Sequence, residues 1–135
     1  MRATIDVMFD GRCGFCTRSA GWLERLDRHG RIRIHASQRP GALDRFGITA
    51  AAAAEAVWAF RVDRHGRRQS LRGAAAVALA LDTALGIRIL CPLATLPGMR
   101  ALAERGYRWV ADHRSRLRGV TPWCEAHPGE CVPPS

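Results

Sequence analysis

Apolar and polar residues alternate at the start of the chain, and this alternation soon gives way to a helical period. Ile5, Val7 and Phe9 occupy every second position, which is typical of a β-strand. Residues 15–26 then place apolar side chains on one face at helical spacing, and an alternating pattern returns at residues 32–34. These patterns predict a β-α-β unit whose two strands are parallel neighbours joined by a right-handed crossover.

The second half of the chain predicts an antiparallel hairpin followed by helices. Residues 57–62 are rich in β-forming side chains, residues 63–66 suit a turn, and residues 67–71 supply the returning strand. Residues 73–85 are apolar almost all round, which predicts a buried helix. A long amphipathic helix is predicted over residues 99–117.

These elements predict one domain and a tail. We expect residues 1–118 to form an α/β domain in which a β-α-β unit, a linker with a short helix at residues 42–46, and a β-β-α unit share one sheet. Two further helical segments after residue 86 form a C-terminal helical appendage to this domain. Residues 119–135 contain four prolines and two cysteines, and we expect them to form an irregular tail.

The composition is that of a globular protein with a strong positive charge. Apolar residues make up 47% of the chain and charged residues 24%, and all 21 basic residues are arginine, for a net charge of +9. This charge favours acidic partners or substrates. The arginines are spread along the chain without a contiguous block, so we do not expect nucleic-acid binding.

Membrane and secretion signals are not expected in this chain. It holds no uncharged apolar stretch near the roughly 20 residues that span a bilayer, and charged residues interrupt its start before a signal peptide could form. Its five cysteines, an odd number, do not suit a secreted disulfide framework, and Cys91 lies in an apolar stretch typical of a core. We therefore expect a cytoplasmic protein, in which a close cysteine pair indicates redox or metal chemistry.

Cys13 and Cys16 form such a pair at the junction between the first predicted strand and helix. One helical turn separates them, so their Cα atoms are expected about 5–6 Å apart, within the range of a disulfide. Cys13 faces the unpaired N–H groups of the helix N-terminus, and Arg12 adds a cation; both favour its thiolate. We predict that Cys13 is the nucleophile and that Cys16, deeper in the helix, is the resolving thiol.

The Asp-x-x-Cys-x-x-Cys segment at residues 10–16 resembles the DCC family of thiol-disulfide oxidoreductases. The likeness extends to residues 27–34, 71–77 and 107–114, and so spans most of the chain. The resemblance implies a thioredoxin-like fold, in agreement with the β-α-β and β-β-α order. It also implies thiol–disulfide exchange without an organic cofactor, with a protein or small-molecule thiol or disulfide as the partner.

Asp10 takes the place of the leading Asp of this family, and two roles are open for it. It can accept the proton of Cys16 during disulfide formation, or it can bond backbone N–H groups of the turn. Its carboxylate opposes the effect of Arg12 on the nearby thiols. The predicted catalytic residues are therefore Cys13, Cys16, Asp10 and Arg12.

The chain departs from ordinary thioredoxins just before the third predicted strand. Thioredoxins carry a cis-proline there, opposite the cysteine pair, whereas this chain has Ala-Ala-Glu-Ala at residues 53–56. The usual clamp on the substrate backbone is absent or replaced. We therefore expect a narrower partner than in general protein-disulfide reduction.

Other interpretations of the cysteines stay open. Cys124, His127 and Cys131 have ligand-like spacing and, together with Cys13 and Cys16, could form a zinc site or a partner-binding module. The two tail cysteines could instead form their own disulfide or relay electrons to the first pair. A nucleic-acid-associated protein of the same fold is the remaining alternative. Because the tail has few large apolar side chains to offset its ordering entropy, we expect no covalent link between the tail and the active site, and a reactivity of Cys13 that does not depend on the tail.

Overall fold

The structure is a computed structural model, and it describes residues 5–62, 65–94, 96–114, 116–117 and 119–132. Four strands in these residues form one mixed sheet in the order β2-β1-β3-β4. The bounds of these strands are β1 Ile5–Phe9, β2 Ile32–Ala36, β3 Trp58–Val62 and β4 Arg68–Arg72.

Seven helices accompany the sheet in the described residues. Three of them connect the strands of the first half, one follows the hairpin, and three lie in the last third of the chain. They are α1 Gly14–Leu26, α2 Ala42–Phe46, α3 Ala50–Glu55, α4 Ala74–Leu85, α5 Leu90–Ala94, α6 Pro97–His113 and α7 Trp123–Ala126.

The pairing of the strands confirms the predicted topology. β1 pairs with β2 in parallel, with Val7 opposite Ile34, and with β3 in antiparallel, with Val7 opposite Ala59. β3 and β4 form the antiparallel hairpin, although residues 63 and 64 of the predicted turn lie outside the described residues. The order β-α-β followed by β-β-α on one mixed sheet is that of a thioredoxin-like fold.

Helices cover both faces of the sheet. On one face, Ile5 and Val7 of β1 pack with Leu23 of α1 and Leu79 of α4. On the other, Met8 of β1 and Phe60 of β3 pack with Phe46 of α2. Burying each of these large side chains contributes about 1.5–3 kcal/mol. Central strand β1 is therefore fixed from both sides, and so is the loop that leaves its carboxyl end.

Several predicted bounds differ from the structure. The third strand begins at Trp58 rather than at residue 57, because the N–H of Val57 donates to the Tyr107 hydroxyl. The long helix ends at His113, not at residue 117, and no residue within α6 is fully buried. Helix α4 was predicted to be buried, and six of its 12 residues are, but Val77 is 40% exposed. This side of α4 faces a cavity instead of a packed layer.

Strand β4 forms one outer edge of the sheet. Arg68, Gln69, Ser70 and Arg72 are exposed on it, and Leu71 packs against the core. The inner edge of this strand is paired with β3, with Ser70 opposite Phe60. No helix in the described part of the chain is both long and apolar enough to cross a membrane.

Candidate active site

The two cysteines of the Cys-x-x-Cys pair lie where β1 ends and α1 begins. Cys13 is the N-cap residue of α1, with extended backbone angles, and its Sγ accepts a hydrogen bond of 3.2 Å from the N–H of Cys16. Both cysteines are half-buried and unbridged. A sulfur in this position lies at the positive end of the helix dipole, which stabilises negative charge on it.

Cys16 lies on the inner side of the pair. It packs against the cluster of Phe9, Ala20 and Ala36. Burial, the hydrogen bond to Cys13 and the charge of Cys13, in that order of size, raise the pKa of the Cys16 thiol to about 12. At neutral pH, Cys16 therefore holds its proton and shares it with Cys13.

Arg114 supplies the cation beside the buried thiol. Its Nη1 lies 3.8 Å from Cys16 Sγ, and its Nη2 lies 3.7 Å from Asp10 Oδ2. The positive charge lowers the pKa of Cys16 against the effects that raise it. Arg114 follows the last residue of α6, so the end of that helix sets its position. It therefore links the appendage to the dithiol.

Asp10 organises the active-site loop, which we define as residues 10–13. Its Oδ1 accepts hydrogen bonds from the N–H of Arg12 at 3.0 Å and from Gln38 Nε2 at 2.7 Å. Gln38 Oε1 in turn accepts from the N–H of Gly11 at 2.8 Å. Asp10 thus makes the turn bonds that were one of its two expected roles, while its Oδ2 faces Arg114.

Arg12 points away from the buried thiol. Its side chain is exposed and donates a hydrogen bond to the carbonyl oxygen of Val132 in the tail. The guanidinium that contacts Cys16 Sγ is that of Arg114. Sequence reasoning missed Arg114 and Gln38 as site residues, although Arg114 closes the stretch 107–114 that carried part of the family resemblance.

The tail, residues 119–132 in the described chain, packs against the site. Its short helix α7 places Trp123 against Phe9 and Ala36, and the N–H of Trp123 donates to Thr17 Oγ1 at 3.0 Å. One aromatic side chain on an existing apolar cluster is enough to hold the segment. The prediction of an irregular tail was therefore wrong where α7 forms. No covalent link joins the tail to Cys13 or Cys16, which are both free.

Backbone contacts bring the tail close to the first turn of α1. The N–H of Val120 donates to the carbonyl oxygen of Gly14 at 3.2 Å. A Cβ on Gly119 would lie 2.4 Å from the carbonyl carbon of Gly14. The tail can cross here only because both positions lack side chains.

The alternative of a zinc site that includes the tail cysteines does not fit the structure. Cys124 and Cys131 are joined in a disulfide, so they are not available as thiolate ligands. His127 Nδ1 lies 2.9 Å from the carbonyl oxygen of Trp123. Among the residues that the structure describes, no three His, Cys, Asp or Glu side chains are gathered to hold a metal ion.

Tyr107 of α6 and Arg114, the residue that follows α6, hold the segment before β3, where thioredoxins carry their cis-proline. Arg114 Nη2 donates to the carbonyl oxygen of Ala54 at 3.4 Å, and Tyr107 Oη accepts from the N–H of Val57 at 2.9 Å. Burial raises the pKa of Tyr107, so its phenol stays neutral. All peptide bonds in the described residues are trans. The side chains of Tyr107 and Arg114 therefore take up backbone groups of this segment.

Replacement of Tyr107 by phenylalanine is expected to reduce the free energy of unfolding by about 1 kcal/mol, because it leaves the partly buried Val57 N–H without its acceptor. Denaturant unfolding monitored by tryptophan fluorescence measures the change. Leu102→Ala, at a 63% exposed position of the same helix, is the matched control and should leave stability nearly unchanged. A Tyr107→Phe protein as stable as the parent would show that this hydrogen bond does not hold the segment.

An apolar cavity of about 930 Å³ opens beside the dithiol. Its walls come mainly from α1, α4 and α6, and include Trp22, Val77 and Met99. Cys16 and Arg114 lie in its lining. The volume falls in the range of small-molecule sites, which combine apolar walls with a few polar groups.

A Cys-x-x-Cys pair at the start of the first helix, on a β-α-β and β-β-α sheet, defines a thioredoxin-like protein with a dithiol site. The model of the DCC1-like thiol-disulfide oxidoreductase family matches residues 7–120, and the chain belongs to this family. The match confirms the resemblance carried by residues 10–16 and supports thiol–disulfide oxidoreductase chemistry in general. The chain matches no curated protein and no solved structure. Cys124 and Cys131 lie beyond the matched residues.

Proposed function

We propose that this protein catalyses thiol–disulfide exchange, with Cys13 as the nucleophile and Cys16 as the resolving thiol. The asymmetry of the pair carries the proposal. Cys13 caps the helix and accepts the N–H of Cys16, whereas Cys16 packs among apolar side chains and has a pKa near 12. The helix N-terminus favours negative charge on Cys13, which supports its role as the nucleophile.

The exchange runs in two steps. The Cys13 thiolate attacks one sulfur of a substrate disulfide, forming a mixed disulfide and releasing the other substrate sulfur as a thiolate. Cys16 then loses its proton and attacks Cys13 Sγ, which releases the second substrate thiolate. Two electrons pass from the dithiol to the substrate, two protons end on the substrate thiols, and Cys13–Cys16 becomes a disulfide.

The first step prepares Cys16 for the second. In the mixed disulfide, Cys13 carries no charge and no longer accepts the Cys16 proton, so two of the causes that raise the pKa of Cys16 are removed. Arg114, 3.8 Å away, then stabilises the thiolate as it forms. Asp10, which faces Arg114, is the proposed acceptor of the proton.

The substrate is proposed to be a protein or small-molecule disulfide with apolar groups near its sulfur atoms. Apolar walls of the 930 Å³ cavity lead to Cys16, and Arg114 adds a positive charge at that end. The net charge of +9 favours acidic substrates over basic ones. The absence of a proline at residues 53–56 favours a narrower substrate range than that of thioredoxins.

The reduction potential of the Cys13–Cys16 couple tests the proposal. The purified protein is equilibrated with thiol–disulfide buffers, and the oxidised fraction of this pair is measured by alkylation and peptide mass spectrometry. A potential near −270 mV is that of a reductase and one near −120 mV that of an oxidant. A pair that forms no disulfide across the whole range of buffers would contradict the proposal.

Alkylation should label Cys13 well before Cys16. At a pKa of about 12, only about one Cys16 thiol in 10⁵ is ionised at pH 7, and iodoacetamide reacts with the thiolate. Time-resolved labelling at about pH 7, followed by peptide mapping, measures the two rates. Preferential labelling of Cys16 would reverse the assigned roles.

A further inference from the structure

The disulfide of the tail lies against the loop that carries Cys13. The N–H of Cys124 donates to the carbonyl oxygen of Gly11 at 2.9 Å. Cys124 Sγ lies 3.1 Å from the position that a Cβ on Gly11 would take. Any side chain at residue 11 would meet this sulfur, so the absence of one allows the sulfur to approach the loop. Gly11 is two residues from Cys13.

A second set of contacts holds the same two segments together on either side of this point. Val132, next to Cys131, donates its N–H to the carbonyl oxygen of Gln38 at 2.7 Å and accepts from the Arg12 side chain. Trp123, next to Cys124, shares an apolar cluster with Cys16. The neighbours of both tail cysteines are thus bound to residues of the site.

We propose that Cys124–Cys131 is a second redox centre, and that it accepts electrons from the Cys13–Cys16 dithiol within the same chain. The proposal rests on the proposed function, since it uses Cys13 as a nucleophile, but it assigns a role to a pair that the family match does not reach. The structure contains the reactants of such a transfer, a free dithiol beside a closed disulfide.

The transfer is balanced within the chain. The Cys13 thiolate attacks Cys124 Sγ, the Cys124–Cys131 bond breaks, and Cys131 leaves as a thiolate. Cys16 then loses its proton and attacks Cys13 Sγ, which releases Cys124 as a thiolate. Two electrons move from the first pair to the second, and the protons of Cys13 and Cys16 end on Cys124 and Cys131. External thiols reduce Cys13–Cys16 again.

Cys124 is the attacked sulfur because of its position. It is the tail cysteine whose backbone is bonded to Gly11, whereas Cys131 follows exposed residues 128–130. Attack on Cys124 also releases Cys131 on the more exposed side of the tail. The active-site loop must shift for Cys13 Sγ and Cys124 Sγ to meet. The hydrogen bonds between this loop and the tail keep the shift local.

The test follows the opening of the tail disulfide in the full-length chain. The oxidised protein is exposed to a small excess of dithiothreitol, samples are quenched with acid and alkylated, and the Cys124–Cys131 peptide is quantified by mass spectrometry. If Cys13 relays the electrons, Cys13→Ser should slow the opening by about tenfold or more, because dithiothreitol must then attack the tail directly. Cys91→Ser is the matched control, because Cys91 lies on α5 and packs against the core cluster. The tail disulfide of this variant should open at the parent's rate.

A trapping variant decides the matter if Cys13→Ser does not fold. Cys16→Ser combined with Cys131→Ser leaves Cys13, Cys124 and Cys91, and mild oxidation should link Cys13 to Cys124 in preference to either pairing with Cys91.

Tail opening at the parent's rate in folded Cys13→Ser overturns the proposal, and so does a missing Cys13–Cys124 link. The readout is the tail disulfide itself, so the two proposals can fail separately. A protein that turns over external disulfides but fails this test contradicts the relay and leaves the proposed function standing. A protein that passes this test but does not turn over external disulfides supports the relay and contradicts the proposed external substrate.

Discussion

Cys13→Ser is expected to abolish turnover of external disulfides, with a loss of about a thousandfold or more. A serine hydroxyl at this N-cap can still accept the N–H of Cys16, so the fold of the loop should survive. The hydroxyl is not ionised near neutral pH and does not attack sulfur. The measurement is the steady-state reduction of a disulfide substrate, with Cys91→Ser as a control that removes a thiol of α5, outside the loop.

Cys16→Ser should behave differently from Cys13→Ser. The first step remains, so a stable mixed disulfide between Cys13 and the substrate should accumulate to about one equivalent. Intact-protein mass spectrometry under acid quench detects it. If Cys13→Ser traps substrate and Cys16→Ser does not, the two roles are exchanged.

Removal of the Arg114 charge gives the second large effect. Arg114→Met takes away the guanidinium 3.8 Å from Cys16 Sγ and so should raise the pKa of Cys16 further. One pKa unit corresponds to tenfold less thiolate, and we expect resolution of the mixed disulfide to slow by about tenfold at pH 8. Arg108→Met removes the same charge from an exposed position of α6 and should change the rate little.

The pH dependence separates this electrostatic role from a loss of packing. Resolution needs the Cys16 thiolate, so its rate should rise about tenfold per pH unit until the pKa is reached. In Arg114→Met the whole profile should move to higher pH, and Arg114→Lys should move it back part of the way. The rate is followed by rapid mixing of the preformed mixed disulfide into buffers of different pH. A lower plateau with the inflection at the parent's pH would mean that Arg114 only positions the Ala54 segment.

The residues of the dithiol were predictable because local pattern determines them. The alternation at Ile5, Val7 and Phe9 predicts the strand, and the helical period that follows places Cys13 and Cys16 at the first turn. The parallel pairing of β1 with β2 follows from the length of the crossover. These features depend on neighbours in the chain.

The residues that complete the site come from distant parts of the chain. Arg114 reaches Cys16 across 98 residues, and its position depends on where α6 ends. Helical periodicity predicts that a helix exists better than it predicts its last turn, and the predicted end was four residues too late. Arg12, adjacent to Cys13 in sequence, therefore seemed the nearer cation.

The packing of the tail could not be predicted from its sequence, because it too depends on residues from distant parts of the chain. Its composition argues against order, yet the contacts of Trp123 and Val120 need only one apolar cluster and a glycine on each of the two segments, Gly14 and Gly119. The stability that such contacts contribute depends on the surface they pack against. The residues of that surface lie in other parts of the chain, so the tail sequence does not reveal them. Burial of α4 was overestimated because an apolar helix can line a cavity as well as a core.

The exposed arginines of β4 affect how copies of this chain meet each other. An outer strand with free backbone groups can be extended by the same strand of a second molecule. If two β4 strands paired in antiparallel about Ser70, Arg68 of each would stand opposite Arg72 of the other. Like charges directly opposite destabilise such a pair, so the basic residues at the two ends of β4 protect this edge from growth into intermolecular sheet.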